Sequence, residues 1–101
     1  MNRRVKLHAL LVEALGSKYV YFQPPTNIEM KYPCIVYSRS STNDRFANNE
    51  LYRTQKKYQI TVIDKNPDSD IPGRIARLPM CRFDRHFKAD NLNHDIYSIY
   101  Y

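Results

Sequence analysis

Tryptophan is absent from this sequence, glycine and cysteine occur twice each, and no apolar run extends beyond a few residues. With Gly16 and Gly73 as the only glycines, a glycine-rich loop that cradles phosphate with backbone N–H groups is excluded. Cys34 and Cys81 stand alone, without the CxxC spacing used by zinc and dithiol chemistry, and read as small buried hydrophobes kept reduced in a cytoplasmic product. A membrane-crossing helix needs about 20 apolar residues, so no span is expected. Met1-Asn2-Arg3-Arg4 is basic like the start of an export signal. Lys6, His8 and Glu13 interrupt the adjoining stretch, so the segment reads as an amphipathic helix and export is not expected. Internal repeats and low-complexity tracts are lacking as well.

What is there fits one domain spanning residues 1–101, because 101 residues leave no room for a second core. The nine tyrosines exceed what a core needs. Tyrosine joins an apolar ring to a hydroxyl that seeks water or a partner, so the excess points toward protein–protein surfaces. A net charge of +6 draws the chain toward polyanions or acidic partners without specifying a fold.

Along the chain, Val5, His8, Ala9, Leu11, Val12 and Leu15 recur at helical spacing and predict a helix from about Asn2 to Leu15, stopped by Gly16. Tyr19–Phe22 is a short β-branched and aromatic strand ended by Gln23-Pro24-Pro25. Cys34–Tyr37 reads as a second strand, central because it is apolar on both faces. A third, Tyr58–Ile63, places Tyr58, Ile60 and Val62 toward the core and Gln59 and Thr61 toward water. The polar stretch between them, 38–57, is either an extended hairpin, with Phe46, Leu51 and Tyr52 able to pack, or a solvated loop. Asp68-Ser69-Asp70 and Pro72 predict a second helix to Leu78, carrying Ile71, Ile75 and Leu78 on its apolar stripe and closed by Pro79. Cys81–Phe87 is expected as a strand with Cys81, Phe83 and Phe87 inward, 88–94 as a turn, and Ile96–Tyr101 as the last strand. The order α-β-β-β-α-β-β makes an α+β fold, a mainly antiparallel sheet with two helices on one face.

The residues do not assemble into catalytic patterns. Asp84-Arg85-His86 puts three titratable groups together, but on a strand Asp84 and His86 share one face, Arg85 takes the other, and no nucleophile is specified. A surface salt-bridging trio is the better account. His8, His86 and His94 lack the spacing that preassembles metal ligands. Asp64, Asp68, Asp70, Asp90 and Asp95 fall where turns and helix starts use aspartate structurally, rather than forming a two-metal nuclease site. No enzyme activity, cofactor or metal is expected. One cluster does imply a partner: Arg39, Arg45, Arg53, Lys56 and Lys57 bracket the 38–57 segment and offer a basic rim toward DNA or a partner protein. The alternative pairs them with Asp44, Glu50 and acidic neighbours.

Two blocks of the sequence resemble the tail terminator, or tail completion, proteins of long-tailed bacteriophages. The first is Tyr21-Phe22-Gln23-Pro24-Pro25 with Met30-Lys31-Tyr32-Pro33-Cys34-Ile35-Val36-Tyr37. The second runs Tyr58 to Ser69 and continues through Leu78-Pro79, Phe83–Phe87 and Asp90–Asp95. Together they cover most of the chain from the first strand onward. They consist of fold and turn residues, so they speak for a family more than a mechanism. The resemblance implies a structural virion protein assembled in the host cytoplasm, a homo-oligomer, commonly a hexameric ring. Such a ring binds the head-proximal end of the tube of major tail protein, stops its polymerisation and offers the head–tail joining surface to a neck or head-closure connector. It also implies a lumen in which genomic DNA is met non-specifically. Two alternatives stand beside it: a neck protein of the same virion, and a small basic ribonuclease toxin or RNA-binding module. The toxin expectation sits poorly with the C-terminus Asp95-Ile96-Tyr97-Ser98-Ile99-Tyr100-Tyr101, where such proteins carry basic catalytic residues.

Overall fold

The computed structural model describes residues 3–40 and 56–101. Helix α1 spans Arg3–Leu15, and Gly16 ends it in the left-handed conformation (φ 83°), its N–H reaching the Val12 carbonyl at 2.8 Å. Glycine pays no Cβ penalty there. The helix buries Leu7, Leu11 and Leu15, a strict i, i+4 row. This corrects the expected face in part: Leu11 and Leu15 are buried and Val12 packs on the core as expected, but Val5 is 43 % exposed and Ala9 is exposed, while Leu7 lies in the core. Periodicity located the helix, but the row that meets the sheet is the one with the longest side chains. Each of these leucines stabilises the packing by about 2 kcal/mol.

The strands are β1 (Val20–Phe22), β2 (Cys34–Arg39), β3 (Lys57–Asp64), β4 (Cys81–Ala89) and β5 (Leu92–Tyr100), in one five-stranded sheet ordered β1-β2-β3-β5-β4. β1 runs parallel to β2 and every other neighbouring pair is antiparallel. Helix α2 (Ile71–Ala76) follows β3. It is shorter than the 68–78 expected. Pro72 sits in its first turn, but Asp70 makes no side-chain cap; the Ser69 hydroxyl accepts the Ile71 N–H instead at 3.2 Å.

One face of the sheet meets both helices. Ile35, Tyr37, Tyr58, Ile60, Val62, Tyr97 and Ile99 pack there against Leu7, Leu11, Leu15, Ile71 and Ile75. Tyr97 also donates from its hydroxyl to the Pro72 carbonyl at 3.0 Å, fastening α2 to β5. Tyr58, Ile60 and Val62 face the core as the alternation predicts, and β2 is interior with Cys34, Ile35 and Tyr37 buried. Cys34, Ile63 and Ile96 are buried outside this helix-side cluster, and pairing places them on the sheet's other face.

Two expectations for the last third are overturned. The chain does not turn over 88–94: β4 continues to Ala89, Asp90 and Asn91 make a two-residue turn with φ of 53° and 63°, and β5 begins at Leu92. Positive φ at both central residues is the hairpin turn that suits the twist of paired strands. Nor do Cys81, Phe83 and Phe87 share an inward face. A bulge shifts the register between Phe83 and Arg85, so Phe83 pairs with Tyr97 whereas Arg85 pairs with Ile96. One extra residue in a period-two strand moves everything beyond it to the opposite face. Phe83 therefore contacts Tyr97 edge-on (5.4 Å between centroids) on the helix side, and Phe87 stacks on His94 (4.5 Å) on the other. Both rings stay exposed, at 52 % and 42 %. β4 is an edge strand; Cys81 packs against the helix-side core and Phe83 touches it only through Tyr97.

Candidate functional site

The basic cluster divides. β2 and β3 pair antiparallel out to Arg39 opposite Tyr58, and the Ser40 N–H donates to the Lys57 carbonyl at 2.9 Å, so Ser40 and Lys57 stand side by side at one end of the sheet. Arg39, Lys56 and Lys57 stand at that end; Arg45 and Arg53, with the rest of 41–55, lie outside the described residues. The C-terminus joins the same end. Lys56 and Tyr101 exchange backbone hydrogen bonds at 3.1 and 3.0 Å, and the Lys57 ammonium sits 5.9 Å from the Tyr100 ring centroid. The sheet thus has a basic, tyrosine-bearing end. The opposite end carries Asp64, Asp68 and Asp90, with Lys65 and Lys88 among them. There the aspartates shape turns: Asp64 accepts the Asn66 N–H and Asn66 accepts the Asp68 N–H, both at 3.0 Å. Asp95 departs from the expectation, since it lies within β5 opposite His86 and Val62.

Asp84-Arg85-His86 does not act as a trio. Asp84 is at the bulge and pairs with Arg85 at 3.5 Å on the surface, while His86 Nε2 lies 3.3 Å from Asn93 Oδ1. Asn93 is itself buried and donates to the Asp64 carbonyl, so His86 joins a structural polar link between hairpin and β3.

A second cluster went unforeseen. Tyr37 is 1 % exposed, and its hydroxyl lies 2.8 Å from His8 Nδ1 and accepts a hydrogen bond from Arg4 at 3.3 Å. The Arg4 guanidinium also caps the Phe22 ring at 4.5 Å. Burial, then the Arg4 charge, lowers the His8 pKa; burial raises that of Tyr37 against the Arg4 hydrogen bond. A neutral imidazole accepting the phenol proton, with the arginine donating to the phenol oxygen, satisfies all three groups. The only sequence signal was the four-residue spacing of Arg4 and His8, one turn apart on α1.

Among the described residues, no three His, Cys, Asp or Glu side chains converge as metal ligands, and no helix is long and apolar enough to cross a membrane. Cys34 and Cys81 are free thiols on β2 and β4, separated by two strands; burial pushes both up to about 11. The cation-rich outer strand β4, with Arg82, Arg85 and Lys88 beside exposed Phe83 and Phe87, is the remaining surface with recognisable chemistry. No family model matches the chain, and neither a curated protein nor a solved structure matches it significantly.

Proposed function

We propose that the chain is a structural subunit of a phage virion, one copy of a ring that caps the head-proximal end of the tail tube, ends tube growth and presents the surface to which the head docks. The observation that carries this reading is the unlikeness of the two ends of the sheet. Arg39, Lys56, Lys57 and the terminal tyrosines gather at one, while Asp64, Asp68 and Asp90 stand at the other with Lys65 and Lys88 among them. A terminator needs this polarity: one side complements the tube protein and the other does not recruit more of it. Six copies at +6 each carry about +36, enough to attract phosphate non-specifically in a lumen.

Electron microscopy of lysates made with the gene disrupted tests the assignment. Overlong or headless tails are expected. Full heads beside unattached tails of normal length replace it with a neck protein, and intact infectious particles overturn it.

A further inference from the structure

Strand β4 is nine residues long, forms one edge of the sheet, and is exposed along its length except at its two ends. An edge strand presents a row of outward backbone N–H and C=O groups, which invite pairing with another chain. Here the side chains select which chain. Arg82, Arg85 and Lys88 supply three cations against the single carboxylate of Asp84, which Arg85 already engages. Among the described residues Arg82 and Lys88 have no ion-pair partner. A second β4 is a poor occupant, because antiparallel self-pairing sets cations against cations, and the bulge at Asp84 breaks the register of a flat edge. The charge argument turns in favour of an acidic strand, whose carboxylates meet these cations. The bulge also puts Phe83 and Phe87 on opposite faces, each half-open beyond its contact with β5, so an added strand finds an apolar ring on either side.

We infer that β4 is a docking edge for an extended, carboxylate-bearing segment of a partner protein, which adds to the sheet as a sixth strand with its acids near Arg82 and Arg85, which share the face away from the helices, and its apolar residues on the other face beside Phe83. Backbone pairing supplies affinity and the cations supply sign selectivity. The inference rests on the virion reading only for the partner's source, another protein of the tail or neck. A nucleic acid suits the cations but not the backbone row, which strand addition uses and phosphate does not need.

The probe is a fluorescein-labelled peptide of about ten residues alternating Glu and Val, long enough to span β4. It is compared with a version carrying Lys for Glu, with a fully backbone N-methylated version, and with an oligothymidylate of similar length. Binding by the full chain is followed by anisotropy, and the site by amide shifts. The Glu peptide is expected to bind and shift β4 amides, the Lys and N-methylated peptides to fail, and R82E/R85E to weaken binding at least about tenfold. R82Q/R85Q, which introduces no repulsion, is expected to fall between. Equal binding of the Lys or N-methylated peptide, or oligothymidylate binding at β4 where the Glu peptide does not, overturns the inference. Phage carrying R82E/R85E separates it from the terminator reading. Normal tails in that variant, with overlong tails on gene disruption, overturn the docking edge alone. β4 binding of the Glu peptide with unaltered tails on disruption upholds the edge and overturns the terminator.

Discussion

Tyr37 is a core residue by position and a polar one by chemistry, and its hydroxyl is satisfied by His8 and Arg4. Removing it in Tyr37→Phe leaves the His8 ring nitrogen and the Arg4 donor without that oxygen, at a cost of about 1–2 kcal/mol, readable as a lower urea midpoint with unchanged slope. The same cluster sets a pH dependence. His8 titrates below its ordinary 6.5 in the folded protein because burial and Arg4 disfavour the imidazolium. Below 6.5 the unfolded chain binds the proton first, so this contribution is intact above that pH and is lost as pH falls through the lower folded value. Urea midpoints of wild type are expected to drop more than those of His8→Gln between about pH 7.5 and pH 5; parallel curves would exclude His8 as the source. The thiols behave as buried groups too. With both pushed up to about 11, modification of the native protein by a disulfide reagent near neutral pH should run about a hundredfold slower than that of a free thiol, with half-buried Cys81 ahead of fully buried Cys34.

Elements were legible where their signals are local. Gly16 and Pro24-Pro25 punctuate the chain where expected, and Tyr58, Ile60 and Val62 alternate into the core. Which row of α1 faces the sheet was not legible, since Val5, Ala9, Leu7 and Leu11 all fit a broad apolar stripe. Leu7→Ala should cost about 3 kcal/mol and Val5→Ala less than about 0.5, a contrast that thermal or urea melts resolve; the reverse ranking would restore the other face. The β4–β5 turn was missed because Ala89 and Leu92, the apolar residues on either side of Asp90-Asn91, are followed outward by Lys88 and by Asn93-His94-Asp95, so the alternating apolar runs that mark a hairpin are lacking. Its geometry still favours glycine at the second position: Asn91→Gly is expected to raise the melting temperature slightly, and Asp90→Val, which forces a β-branched residue into φ near 53°, to lower stability by about 1–2 kcal/mol.

For the whole molecule, stability should grade across the sheet in the order of its strands. β3 lies between β2 and β5 with Tyr58, Ile60 and Val62 in the helix-side core, while β4 has one neighbour and is exposed except at its ends. Native-state hydrogen exchange is therefore expected to be slowest in β3 and fastest along the outer edge of β4 and its turn. Equal protection in β3 and β4 would mean that something covers the edge in solution, such as a second copy.

The basic rim was legible as composition but not as a place: the sequence puts Arg39 and Lys57 far apart, and only β2–β3 pairing, with Tyr101 bound to Lys56, draws them to one end. By itself the sequence determined the order of elements, the α+β class and the helix stop at Gly16, because these depend on neighbours within a turn or two. Strand order, the exposure of Phe83 and Phe87, the Arg4–His8–Tyr37 cluster and the bulge at Asp84 were decided by tertiary structure. Each depends on which distant strand lies alongside, and in a strand of period two a single bulged residue reverses every face beyond it.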